Sequence, residues 1–272
     1  MHARTISLIS ISLLAATLSG CTPSPEPDPV LVEMLQDAQL DSHALATTAP
    51  EASALRSEHA QEIQAEIDRQ CGYTDEGTVP ESCTVELTAI GASPATDAAS
   101  YIADSQSLIL DKLDEIPADS VALITEQYIE QARFTAAPEE DLQAPTNLTL
   151  TDAEQAVAKE MLSREYAAAW SLGVALAYSP TEQQSAIESA ISNHQQRASV
   201  LVHILGDSAE DSFSPGYRSD IPEPTDAASA QLTVSKVQEN AVSAWHAAAA
   251  ASTTDAWRVL CTEIAGDTAR EL

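Results

Sequence analysis

The chain has 272 residues, of which 44% are apolar and 20% are charged. These proportions are typical of a globular protein with a sizeable core, and they argue against wholesale disorder. The 12 Lys and Arg residues against 42 Asp and Glu residues give a formal net charge of −30. This balance argues against nucleic acid as a partner, because binding phosphates requires a basic surface, and against charge-driven binding to anionic lipids.

The first twenty residues have the organisation of a secretory signal peptide. Arg4 supplies the positive start, residues 6–18 form an apolar run, and small residues follow. The run is too short for an independent membrane-spanning helix. Leu18-Ser19-Gly20-Cys21 resembles the bacterial lipobox, in which the cysteine receives a diacylglycerol group. We therefore expect residues 1–20 to be removed and Cys21 to become a lipid anchor, on the extracytoplasmic face of a bacterial cell membrane. The alternative is an ordinary signal peptide with an incidental cysteine.

A proline-rich segment follows Cys21. In residues 22–29 every second residue is proline, a pattern that disfavours a helix and favours an extended polyproline segment. We expect residues 21–29 to form a stiff tether that lifts the folded part off the bilayer.

Three further cysteines lie in what we expect to be an oxidising compartment. Cys71 and Cys83 flank a turn-rich loop, and a disulfide between them would stabilise the fold by about 2–3 kcal/mol. Their spacing matches no zinc motif. Cys261 is then a free thiol that we expect to be buried. The alternative is a disulfide from Cys261 to Cys71 or Cys83, which would join the two halves of the chain.

The hydrophobic periodicity and the capping patterns predict an all-α protein. Only residues 84–87 alternate as a short strand would. The four predicted helices of the N-terminal half span residues 30–46, 50–70, 94–113 and 119–133. The four predicted helices of the C-terminal half span residues 152–178, 181–205, 226–251 and 254–270.

An acidic, proline-containing linker at residues 137–150 divides the chain. It separates an N-terminal helical region, residues 30–136, from a C-terminal region, residues 151–272. In the C-terminal region two short connections and one long crossover, residues 206–225, join the four helices. This pattern predicts a ferritin-like four-helix bundle.

Polar residues interrupt the apolar stripes of the predicted bundle. His194 lies in the middle of the stripe of the second bundle helix, with Arg197 beside it. Glu165 lies on the stripe of the first helix. Glu239 shares a line with apolar residues of the third helix, although a rival apolar face that contains Trp245 lies on the opposite side. We expect Glu165, His194, Arg197 and Glu239 to meet in the core.

Such a cluster has two explanations. It is either a hydrogen-bonded network that fixes helix register, or a site for iron or manganese. A di-iron site requires paired Glu-x-x-His motifs, and the sequence contains none, since Ile191 stands three residues before His194. The nucleophile motif Gly-x-Ser-x-Gly and phosphate-binding glycine loops are also missing from the sequence. The remaining histidines are predicted to lie on the surface: His43, His59, His203 and His246.

Four stretches of the C-terminal half occur in a recognisable order. The first is Glu-Tyr-Ala-Ala-Ala-Trp-Ser-Leu-Gly-Val at 165–174, and the second is His-Gln-Gln-Arg-Ala-Ser-Val-Leu at 194–201. The other two are the crossover residues Tyr217, Pro222, Pro224 and Asp226, and then Glu239. In this order they resemble a ferritin-like family of bacterial lipoproteins whose function is unassigned.

The sequence departs from that family at charged positions. Tyr166 replaces a histidine of the family, and Ala198 and Ser199 replace an arginine and an aspartate. Any charged site that the family shares is therefore smaller in this chain, which favours the structural network over a metal site. The N-terminal half lies outside the resemblance.

These observations predict a non-catalytic cell-envelope lipoprotein without a cofactor. Its partners would be the membrane, through the lipid, and an envelope protein that binds its acidic helical surface. A metal-binding bundle that uses iron or manganese is the alternative, and a redox enzyme of the di-iron type is the second alternative.

Overall fold

Eight α-helices provide the regular structure in a computed structural model that describes residues 24–85, 97–137, 142–146, 148–212 and 221–272. Their bounds are α1 Pro29–Leu45, α2 Pro50–Cys71, α3 Ala98–Lys112, α4 Val121–Gln131, α5 Asp152–Leu176, α6 Thr181–Leu205, α7 Ala227–Ala251 and α8 Asp255–Ala269. These ranges contain no strand, and the all-α prediction is confirmed. The predicted signal peptide and Cys21 lie outside the described residues.

The helix bounds follow the start and stop signals of the sequence closely. α6 spans the predicted range and is followed by Gly206, whose φ of 53° lies in the left-handed region that favours glycine. α4 is shorter than expected because 3-10 turns at Ala118–Ser120 and Ala132–Phe134 flank it. The short strand expected at 84–87 is not observed at residues 84–85, and its other two residues lie outside the described ranges.

The proline-rich segment contacts the folded part of the chain before α1 begins. The Asp28 carboxylate caps α1 by accepting the backbone N–H groups of Val30 and Leu31 at 2.9 and 3.1 Å. Further back, the Ser82 hydroxyl donates to the Pro25 carbonyl at 2.7 Å. Pro25 therefore already lies against the folded chain, and the role of residues 21–29 as a tether stays a prediction.

The predicted disulfide between Cys71 and Cys83 is confirmed. It joins the last residue of α2 to the 3-10 turn Glu81–Cys83, and both cysteines belong to the main hydrophobic core. Cys261 in α8 is a buried free thiol. Burial raises the pKa of this thiol well above its usual range, so it remains protonated and unreactive at neutral pH.

Two helical hairpins and a main hydrophobic core organise the C-terminal region. Residues 177–180 connect α5 to α6, residues 252–254 connect α7 to α8, and α5 packs against α7. The core extends into the N-terminal region, since α4 packs on α7 and α8. At this contact a Cβ added to Gly266 would lie 2.7 Å from Tyr128 Cε1, so a larger residue at position 266 would force the Tyr128 ring to move. The division into two domains stays a prediction.

No helix among the described residues is long and apolar enough to cross a bilayer.

Candidate functional site

Three of the four predicted polar residues meet in the core between α5 and α6. Glu165 and His194 are 2% and 0% exposed, and His194 Nδ1 lies 2.6 Å from Glu165 Oε2. Arg197, one turn further along α6, places Nη1 3.4 Å from the same Nδ1. The apolar stripes of the two helices thus bring one carboxylate, one imidazole and one guanidinium together.

Residues that the sequence analysis missed complete this network. The indole Nε1–H of Trp245 donates to Glu165 Oε1 at 2.6 Å, and His194 Nε2 lies 3.0 Å from Gln238 Oε1. Glu271, near the C-terminus, accepts a hydrogen bond from Gln238 Nε2 at 2.6 Å and forms an ion pair with Arg197. We call these six side chains the central network.

Glu239 does not join the central network, and its predicted position is wrong. Its carboxylate is about half exposed and accepts a hydrogen bond from Lys236 Nζ at 2.6 Å. The inward side of α7 is the rival face with Trp245, while Leu232 on the other side is 65% exposed. Gln238 and Trp245 are seven residues apart and therefore lie on the same side of α7.

The donors and acceptors locate the protons of the central network. Gln238 donates through Nε2 to Glu271, so its oxygen faces His194 Nε2, and that ring nitrogen must carry a hydrogen. Because His194 Nδ1 and Glu165 Oε2 would repel each other at 2.6 Å without a proton, one proton lies between them.

This arrangement is chemically suited to holding helices together. Both nitrogens of His194 and both oxygens of Glu165 are already engaged. A cation bound at His194 would also meet the guanidinium of Arg197. In the described part of the chain, no group of three or more His, Cys, Asp or Glu side chains is placed to hold a metal ion.

A second buried network in the N-terminal region corrects the expectation for His59. His59 is 0% exposed and lies between α2 and α4, with Nε2 2.9 Å from Glu130 Oε2. Arg56 Nη1 lies 3.2 Å from His59 Nδ1 and can only donate, so Nδ1 accepts and Nε2 carries the hydrogen. Arg56 also donates to Asp41, 3.0 Å away, and to Asp37, 2.7 Å away. Burial and the neighbouring Asp37 raise the pKa of Asp41 to about 7, against the opposing effect of Arg56.

The remaining predicted surface histidines lie at or near the surface. His43 and His203 are exposed. His246 is partly exposed, and its Nε2 lies 2.9 Å from the Ala122 carbonyl.

The comparison with protein families concerns the part of the chain that holds the central network. Residues 156–271 match the family model described as "Domain of unknown function (DUF4439)". This match is consistent with the predicted resemblance of the C-terminal half to a family whose function is unassigned. No curated protein and no solved structure matches the chain.

The DUF4439 match includes all six members of the central network. It begins after the N-terminus of α5 and ends at Glu271. The second network around His59 lies outside it.

Proposed function

We propose that this protein is a non-catalytic cell-envelope lipoprotein whose helical body is a binding or scaffold module. The observation that carries the proposal is the saturation of the central network. Glu165 and His194, the pair most suited to catalysis or metal binding, use their polar atoms on each other and on Trp245 and Gln238. Side chains fixed in this way stabilise a scaffold and leave no free nucleophile or base.

The packing of the C-terminal helices supports a ferritin-like bundle as the scaffold. Such a bundle consists of two helical hairpins joined by one long connection. Here α5 and α6 form the first hairpin, α7 and α8 form the second, and the residues between Leu205 and Ala227 connect them. The contact of α5 with α7 brings the two hairpins together.

The contact at Pro25 supports anchoring close to the membrane. Pro25 is only four positions after Cys21 in the chain. An extended chain of that length spans at most about 14 Å. A lipid on Cys21 would therefore hold the folded body near the headgroups, with its acidic surface available to an envelope protein.

Removal of the Cys21 thiol tests the anchor. We expect Cys21→Ala to leave the membrane fraction or to remain uncleaved, and to lose labelling by radioactive palmitate, because the thiol is the acceptor of the lipid. The neighbouring substitution Thr22→Ala keeps the thiol and should behave as the wild type. Labelled Cys21→Ala protein would contradict this assignment.

The metal-binding bundle is the second candidate function, because Glu165 and His194 form a buried carboxylate–imidazole pair in the helical core. Elemental analysis of protein purified without chelators separates the two candidates. The scaffold proposal predicts less than about 0.1 equivalent of iron, manganese or zinc. Stoichiometric metal that is lost in His194→Leu but kept in His203→Leu would favour the metal-binding bundle. A di-iron redox enzyme would need further carboxylates and a second histidine at this position.

A further inference from the structure

The C-terminal half of α5 presents an uncharged surface to solvent. Residues 166–181 contain no Asp, Glu, Lys or Arg, although the whole chain has a formal net charge of −30. The inward side of this segment carries Leu172, which is 0% exposed and packs against α6 and α7. Trp170, Gly173 and Ala177 lie on the opposite side of the helix and are exposed. We call these three residues the outer face of α5.

Trp170 is the largest side chain of the outer face. The chain has three tryptophans, and Trp170 is 44% exposed while Trp245 and Trp257 are fully buried. Tyr178, which directly follows the outer face, is 46% exposed. The solvent side of a helix in a globular protein normally carries charged and polar residues. Exposed aromatic residues without charged neighbours are instead typical of the central part of a protein–protein interface.

Gly173 leaves a recess beside Trp170. Among the described residues, no atom outside its own stretch of helix lies within 4 Å of the position that a Cβ would take. Packing within the chain therefore does not require glycine there, although glycine is one of the poorest helix formers. The backbone at Gly173 is open to a close approach from outside the chain. The outer face thus carries a projecting ring and a recess, three residues apart.

We propose that a second copy of this chain binds the outer face of α5 and forms a weak symmetric dimer. In a two-fold interface, residue i of one copy meets residue j of the other, and j meets i. Antiparallel pairing of two α5 helices would place Trp170 of each copy against Gly173 of the other. This inference goes beyond the scaffold proposal and does not depend on the lipid anchor.

The charge of the chain favours a second copy as the occupant of the outer face. Two bodies that each carry a formal charge of −30 repel each other. They can approach with the least repulsion where neither copy presents a charged side chain, and the outer face meets this condition on both sides of the interface. A basic partner protein would gain no electrostatic attraction from a surface without carboxylates.

The size of the outer face determines the expected strength of the dimer. Between residues 166 and 177 a helix rises about 18 Å, and a helix with its side chains is about 10 Å wide. Two such strips bury much less than the roughly 1,200 Å² of the smallest standard interfaces. Interfaces of this size are weak and transient, so we expect a Kd of roughly 0.1 mM.

Sedimentation equilibrium on the full chain tests the proposal, in a density-matched non-ionic detergent that is present in excess. We expect a monomer–dimer equilibrium that becomes at least about threefold tighter when salt is raised from about 0.1 to about 1 M, because salt screens the repulsion between the two bodies. Trp170→Ala should weaken the dimer by at least about tenfold. The matched control Leu232→Ala removes a 65% exposed side chain from the outer side of α7 and should leave the Kd unchanged.

A substitution that fills the recess separates an interface role from a structural one. Gly173→Leu should weaken the dimer by at least about tenfold, because the new side chain occupies the space that Trp170 of the second copy would fill. The same variant should unfold at a higher urea concentration than the wild type, since a better helix former then stands in open space. The matched control Ala247→Leu, at an exposed position of α7, should leave the Kd unchanged.

Four results would overturn the proposal. A chain that stays monomeric at about 1 mM would do so, even if Trp170→Ala loosened its binding to phosphatidylethanolamine vesicles, which would assign the outer face to the membrane. A dimer that neither Trp170→Ala nor Gly173→Leu weakens would place the interface elsewhere. A dimer that salt weakens would be held by ion pairs. A lower urea midpoint for Gly173→Leu would mean that glycine serves the packing of the chain itself.

Discussion

Replacement of Glu154 by glutamine is expected to lower the free energy of unfolding by about 3 kcal/mol. Glu154 is 4% exposed and accepts backbone N–H groups at the starts of two helices. Oε1 accepts those of Thr253 and Thr254 at 2.9 and 2.8 Å, and Oε2 accepts that of Thr151 at 3.0 Å. The hydroxyls of Thr151 and Thr254 add bonds of 2.8 and 2.7 Å to Oε2. A glutamine would place an NH₂ group against some of these donors.

The pH dependence of this effect follows from the pKa of Glu154. Burial acts to raise the pKa, but the hydrogen bonds from Thr151, Thr254 and Thr253 outweigh it and hold the pKa well below its usual range. The folded state therefore binds the proton more weakly than the unfolded state does. The contribution of Glu154 is present above the unfolded pKa of about 4.5 and is lost as the pH falls below that value.

Urea denaturation at several pH values tests the predicted loss of stability in Glu154→Gln and its pH dependence. The difference in stability between the wild type and Glu154→Gln should be largest near neutral pH and should narrow in acid. Glu160→Gln is the matched control, because this exposed carboxylate on the same helix pairs with Arg164 at the surface and should change stability by less than about 0.5 kcal/mol. Equal denaturation midpoints for wild type and Glu154→Gln at neutral pH would contradict the role given to Glu154.

Glu154 shows which part of the fold can be predicted from the sequence. The pattern Thr151-x-x-Glu154 predicts a capping box at the start of α5, and the structure has it. The reach of the same carboxylate to Thr253 and Thr254, about 100 residues further on, leaves no local pattern. Helix starts are encoded over a few residues, whereas contacts between helices depend on how the whole chain packs.

The error at Glu239 has a related cause. α7 is rich in alanine and carries apolar residues on two sides, so its periodicity does not decide which side faces the core. Trp245 decides it in the structure, since it is the largest side chain of α7 and is fully buried. A tryptophan indicates the buried side of a helix more strongly than several alanines do, and the side of α7 that carries Trp245 also carries Gln238.

The sequence pattern also did not predict which polar residues are buried at helix ends and at contacts between helices. His59 is flanked by polar and small residues in the chain, and α4 covers it with Glu130, 71 residues away. Glu271 lies beyond the last helical residue, where periodicity no longer applies, yet it closes the central network. The short-range pattern predicted Glu165, His194 and Arg197 because all three lie well inside long, regular helices.

The coupling between Glu165 and His194 is the second large effect that we expect. His194→Leu should lower the free energy of unfolding by about 3–5 kcal/mol, because it leaves a buried carboxylate without its main partner. Trp245 alone would then hold Glu165, and Gln238 Oε1 would lose its donor. Adding Glu165→Gln removes the unpaired charge, so the double variant should recover about 2 kcal/mol or more relative to His194→Leu.

Urea denaturation of the wild type, both single variants and the double variant gives this coupling energy directly. An exposed pair on α7 supplies the matched cycle: Glu239→Gln and Lys236→Leu should show a coupling below about 1 kcal/mol, because water screens that pair. Additive costs for Glu165 and His194 would mean that the two side chains do not share a proton in the core.

A chelator tests the remaining explanation, which is a bound metal ion. If hydrogen bonds hold the central network, the chelator should leave the melting temperature of the wild type unchanged. If a metal ion held it, the chelator would lower the wild-type melting temperature and leave that of His194→Leu unaffected.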